Sequence, residues 1–117
     1  MASEREIPVL LKLYDLTVWT LNHTARFARH HRFSLGTRIE QTLFDALDVL
    51  GEARYAREKQ GLLDRANMLL DRLRLQMRLA KDLRLLPLNS YEHQARAVDE
   101  IGRMIGGWKR SSMRNVS

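Results

Sequence analysis

The 117-residue chain contains no cysteine, which excludes a disulfide framework, a thiolate metal site and a cysteine nucleophile together. Only two prolines and six glycines punctuate it, and aromatic residues are scarce: three Phe, three Tyr and two Trp. Val and Ile together number nine against 20 Leu, a balance that favours helix over strand. No run approaches the roughly 18 consecutive apolar residues of a membrane span. The most apolar stretch, Ile7 to Leu21, is interrupted by Lys12 and Asp15. Met1 to Glu6 lacks the basic n-region of a signal peptide, so the expected location is the cytoplasm. A length below roughly 150 residues predicts one domain, residues 1–117, with its core over about 7–109, a short N-terminal arm and a frayed basic tail.

What the chain does have is arginine. Sixteen Arg and four Lys face 14 acidic residues, and the excess is uneven. Residues 1–60 carry 9 basic and 8 acidic side chains, residues 61–117 carry 11 and 6. The second half therefore holds most of the net +6, which points to an anionic partner.

Hydrophobic spacing predicts four helices. The first starts near Pro8, a residue suited to an opening helical turn, and runs to about Ala28. A basic break from Arg29 to Phe33 leads to Ser34 as N-cap of the second, which runs to about Lys59. Gly61 marks the next turn; the third spans about Leu62 to Leu86 and is stopped by Pro87. Asn89 and Glu92 resemble a capping box opening the fourth, which reaches Gly106 to Trp108 with the tail fraying from Ser111. The core stripes read Ile7, Leu10, Leu11, Tyr14, Val18 and Leu21; Leu35, Ile39, Leu43, Ala46, Leu50 and Ala53; Leu63, Ala66, Leu70, Leu73, Met77 and Ala80; and Tyr91, Val98, Ile101, Ile105 and Trp108. Their near-3.5 spacing suits antiparallel packing, and short connections give an all-α, up-down-up-down four-helix bundle.

A second set of apolar residues lies off these stripes. Val9, Leu13 and Leu16 on the first helix, and Met68, Leu75, Leu79 and Leu86 on the third, form rows that a solitary bundle would leave wet. Phe44 and Tyr55 also point away from the second stripe. Such rows predict a homo-oligomer with those seven residues at the subunit interface, the plain alternative being that the first and third helices sit deep in a slightly irregular core.

Catalytic and metal constellations are weak. There is no Glu-x-x-His of the kind di-iron bundles use, and the adjacent His30 and His31 point about 100° apart on a helix. Arg26 and His31 share the Arg-x4-His spacing of some helical ribonucleases, but with sixteen arginines that spacing arises readily by chance. Neither catalytic residues, metal nor cofactor is expected. Gly102-x-x-x-Gly106 suggests close helix approach. The basic clusters are more informative. Arg74, Arg78 and Lys81 share one helical edge, and Arg96, Arg103 and Arg110 recur at seven-residue intervals. Acidic neighbours such as Asp71, Asp82 and Asp99 are placed to pair with some of them, giving a solvated, salt-bridged face as the plain alternative to a phosphate-contacting surface.

Several stretches carry a family resemblance: Leu13-Tyr14-Asp15-Leu16, Arg32-Phe33-Ser34-Leu35-Gly36, Arg65-Ala66-Asn67, Arg78-Leu79-Ala80-Lys81-Asp82-Leu83-Arg84 and the run from Glu100 to Trp108. Over roughly residues 9–110 the chain resembles the accessory variability determinant (Avd) proteins of diversity-generating retroelements, although the family often has proline at the position of Ala28 and an acidic residue near Thr37. The four-helix proteins encoded in intervening sequences of bacterial 23S rRNA genes are similar in architecture and less so in these motifs. The resemblance implies a non-enzymatic bundle assembling into a basic ring, a pentamer. Its partners would be the element's reverse transcriptase and template-repeat RNA, with DNA as a further nucleic-acid ligand, and it would support mutagenic cDNA synthesis and retrohoming. Motif matches imply nucleic-acid or polymerase contacts at Arg78, Lys81 and Arg84; charge placement adds Arg74, Arg96 and Arg103. The alternative is a 23S intervening-sequence-type RNA-binding or purely structural assembly protein.

Overall fold

The computed structural model describes residues 6–114, so the N-terminal arm and residues 115–117 lie outside the described residues. Four long helices account for most of it: α1 (Glu6–Thr24), α2 (Thr37–Ala53), α3 (Gln60–Asp82) and α4 (Leu88–Arg114). Each of α1 and α3 packs against both α2 and α4, so the helices occupy the corners of a square with α1 diagonal to α3 and α2 diagonal to α4.

The expected stripes of α2, α3 and α4 form the core. Ile39, Leu43, Leu50, Leu63, Leu70, Leu73, Met77, Val98, Ile101 and Ile105 are essentially inaccessible. The first helix is turned over relative to expectation. Val9, Leu13 and Leu16 are the buried residues, while Ile7, Leu11, Tyr14 and Val18 are exposed. The cause lies in three threonines. Thr17, Thr20 and Thr24 continue the Val9–Leu13 face into the core, where the Thr17 hydroxyl donates to the Leu13 carbonyl at 2.7 Å. Thr24 donates to Glu40 Oε2 at 2.5 Å, tying α1 to α2. A hydroxyl satisfied within or beside its own helix is cheap to bury, as at Thr17 and Thr24, so a polar residue can mark an inward face; the buried Thr20 hydroxyl has no partner among the described residues.

Connections depart from the expected boundaries. Helix α1 stops at Thr24, and a short helical turn (Arg29–His31) runs into a π-turn (Arg32–Gly36) before α2. Ser34 is not an N-cap; its hydroxyl donates back to the His30 carbonyl at 3.1 Å inside that wide turn. Gly36 is buried there, and a Cβ would sit 3.5 Å from the His31 carbonyl oxygen. Helix α2 ends at Ala53, six residues early, because the Lys59 ammonium reaches back to the carbonyls of Ala53, Arg54 and Ala56. A cation on the last carbonyls satisfies orphan acceptors and complements the helix dipole. Helix α3 ends at Asp82 in a Schellman arrangement, with Leu85 N–H donating to Ala80 O and Arg84 N–H to Lys81 O, both at 2.9 Å. Beyond it Leu86 turns inward and is buried. Helix α4 begins at Leu88, where Asn89 Oδ1 accepts from the Ser90 N–H rather than closing a capping box. It continues as helix through Ser111 to Arg114, where fraying was expected.

Candidate nucleic-acid interface and assembly rows

Burial separates the seven residues expected at a subunit interface. Met68, Leu75 and Leu79 are 68%, 71% and 48% exposed. Val9, Leu13, Leu16 and Leu86 belong to the monomer's own core and have no surface to offer a second copy. On α1 the exposed apolar row is Ile7, Leu11, Tyr14 and Val18, at i, i+4, i+7 and i+11, the residues assigned to the core from sequence.

Each exposed row sits on one flank of its helix. The opposite flank of α1 faces α4: Lys12 pairs with Glu100 at 3.1 Å, and Trp19 meets His93 with ring centroids 5.1 Å apart. On α3 the residues facing α4 are Arg74, which reaches Asp99 at 3.2 Å, and Lys81, which lies 5.0 Å over the Tyr91 ring. The apolar rows of α1 and α3 are thus both turned away from α4, toward α2. At 100° per residue the α1 row is centred about 140° from that helix's buried residues and the α3 row about 160°.

The basic residues gather around α4. Arg96, Arg103 and Arg110 form a ridge between two grooves. The α3–α4 groove, about 580 Å³, is lined by Asn67, Asp71, Arg74, Asp99, Gly102, Arg103, Gly106 and Arg110. Its glycines do not serve backbone contact as their spacing suggested. A Cβ at Gly102 would lie 3.3 Å from Arg74 Nη2, and one at Gly106 would lie 3.4 Å from Arg110 Nη1, so they make room for guanidinium groups.

The six expected contact residues differ in availability. Arg74 is held by Asp71 at 2.6 Å and Asp99 at 3.2 Å, so its charge is largely spoken for. Lys81 is divided between Asp82 at 3.4 Å and the Tyr91 ring. Arg78, Arg84, Arg96 and Arg103 are exposed and form no ion pair with the described residues. Arg84 also occupies the left-handed slot of the Schellman turn, at φ 60°, where glycine is the low-cost residue. The sequence gives no sign of that strained setting, because arginine there breaks the usual turn pattern.

Sequence reasoning missed the aromatic cluster at the α1–α4 seam. Trp19 stacks on His23 at 3.8 Å and 25°, and His93 leans against it. His93 lies 70 residues beyond His23, so only the i,i+4 pair Trp19/His23 was visible as a spacing. The ribonuclease-like pair shows no mutual contact: His31 packs on His30 with centroids 4.0 Å apart, and Arg26 is exposed. Among the described residues no three His, Asp or Glu side chains converge as metal ligands. No described helix is long and apolar enough to cross a membrane.

No protein with a curated description matches the chain. The profile of the bAvd-like family matches residues 9–112, all four helices except their outermost ends, so this four-helix chain belongs to the bAvd-like family.

Proposed function

We propose that the protein is a non-enzymatic accessory factor of a diversity-generating retroelement, binding template-repeat RNA and the element's reverse transcriptase through the surface centred on α4. The polymerase supplies the chemistry of cDNA synthesis; this chain supplies an assembled cationic scaffold. The observation that carries the reading is the segregation of charge. Arg78 on α3, Arg84 just beyond it, and Arg96 and Arg103 on α4 form no ion pair among the described residues, whereas α2 on the corner opposite α4 carries Glu40, Asp45, Asp48 and Glu52 against a single Arg38. Guanidinium forks suit phosphate oxygens, and the seven-residue spacing of Arg96, Arg103 and Arg110 along α4 suits a nucleic-acid backbone.

Assembly follows from the two apolar rows. They differ in sequence and occupy diagonally opposed helices, so they support a head-to-tail contact in which the α1 row of one copy meets the α3 row of the next. Heterologous contacts close into rings when the rotation between copies closes, and otherwise run on as filaments. Because both rows lean toward α2, their outward directions subtend about 120°, which suits closure into a small ring; the choice of a pentamer rests on the family resemblance, not on this angle. Closure on that side puts α2 at the lumen and the arginine ridge of α4 on the outer wall. Each added subunit then repeats the cationic patch, and modest single contacts add by avidity.

Replacing Arg78, Arg96 and Arg103 by Ala tests the reading. The triple variant should keep its helical circular dichroism and its oligomer size. It should lose RNA affinity, and its log–log salt dependence should flatten by about 0.7–0.9 per phosphate contact removed. RNA binding insensitive to salt would refute the proposal. Loss of polymerase co-purification with RNA binding intact would assign the ridge to protein contact instead.

A further inference from the structure

We propose that the α1–α4 groove is a nucleobase subsite that takes one unstacked guanine of single-stranded RNA; the inference rests on the RNA-binding reading above and gives it a specific base contact. The groove encloses about 670 Å³ and is lined by Lys12, Asp15 and Trp19 from α1 and by His93, Arg96 and Arg103 among others from α4. Arginines also meet exposed rings at Arg32–Phe33 and Arg54–Tyr55, but there the guanidinium of the adjacent residue already lies over the ring, and neither pair lines this groove. Trp108, the other tryptophan, is buried in the core.

Removing the charges that are already paired leaves a simple donor–acceptor set. Lys12 neutralises Glu100, and Asp99 is engaged by Arg74 from the neighbouring groove. What remains is one exposed carboxylate, Asp15, two guanidinium groups, Arg96 and Arg103, and the partly exposed indole of Trp19. His23 fixes the indole plane: its ring stacks on Trp19 while its Nδ1 donates to the Trp19 carbonyl oxygen at 2.7 Å. The exposed His93 ring meets the indole at 37°, a tilted contact that a flat base can displace.

Each remaining group has a counterpart on a nucleotide. An indole stacks on any base, and Arg96 and Arg103 match the phosphates on either side. Asp15, one helical turn before Trp19, accepts hydrogen bonds and donates none. On its Watson–Crick edge guanine alone presents two adjacent N–H donors, N1–H and N2–H, which a carboxylate accepts together. A duplex holds that edge in pairing, so the ligand must be single-stranded, with the base turned out of its stack.

The test uses the full-length protein and short oligo(U) RNA carrying one central guanosine, compared with the same oligomer carrying adenosine. The guanosine oligomer should quench tryptophan fluorescence and bind several-fold more tightly. Trp19→Ala should weaken binding about 5- to 150-fold, with Trp19→Phe restoring part of the loss should the smaller side chain disturb packing. Asp15→Asn should remove the preference for guanosine while the quenching persists. Salt-dependent binding without quenching, or an Asp15→Asn protein that still discriminates, would overturn the groove assignment and leave the basic wall standing. Absence of any RNA binding would overturn both readings.

Discussion

Helices α2 and α4 sit at opposite corners of the bundle and do the same work inside. Ile39, Leu43, Ala46 and Leu50 on one, and Val98, Ile101, Ile105 and Trp108 on the other, fill a shared core. Outside they diverge. Helix α2 carries four acidic residues and one basic; α4 carries three acidic and five basic, with Arg96, Arg103 and Arg110 in a ridge between grooves. Two helices equivalent in folding are therefore unequal as surfaces. The difference identifies α4 as the helix to perturb for binding and α2 as its control.

The inner equivalence predicts the largest effects. Ile39→Ala and Ile105→Ala, both at buried sites, should each lower unfolding free energy by about 2–5 kcal/mol, read from urea titrations. A cost confined to one helix would show that the core is not shared.

The assembly rows provide a sharper contrast within α1. Leu13→Glu places a carboxylate at an inaccessible site and should prevent folding, whereas Leu11→Glu, at a residue 57% exposed, should fold and shift light scattering toward smaller species. Leu75→Glu on α3 should behave like Leu11→Glu. Unchanged mass in both exposed variants would remove the two rows from the interface.

Reversing charge tests the outer divergence. Arg96→Glu with Arg103→Glu should reduce the salt slope of RNA binding by about 1.4–1.8, while Asp45→Asn with Asp48→Asn on α2 should leave it unchanged. Equal effects on the two helices would mean that net charge, not the ridge, governs binding.

The smallest effect concerns Arg84. Relief of its left-handed backbone by Arg84→Gly should raise stability by about 1 kcal/mol, and RNA affinity should fall if the arginine is retained for contact. A variant that is less stable would place the side chain's packing above its backbone strain.

The sequence was most legible where one face of a helix is apolar and the rest is charged. Helix α3 shows this best, since Leu63, Ala66, Leu70, Leu73, Met77 and Ala80 are all buried as their spacing implies. It was least legible on α1, where apolar residues occur on most sides and the face that enters the core includes Thr17, Thr20 and Thr24. Charge was legible as a total, whereas availability was not: Arg74 and Arg96 look equivalent along the chain, yet only Arg74 meets Asp99 from the neighbouring helix.

The sequence by itself determined four helices, their common core period, the arginine excess and the family motifs, because these depend on residues a few positions apart. The tertiary structure decided which flank of α1 is buried, which arginines remain unpaired, and that Trp19 and His93 share a groove. Those outcomes depend on which helices become neighbours around the square, and helical periodicity holds no information about what stands across the seam.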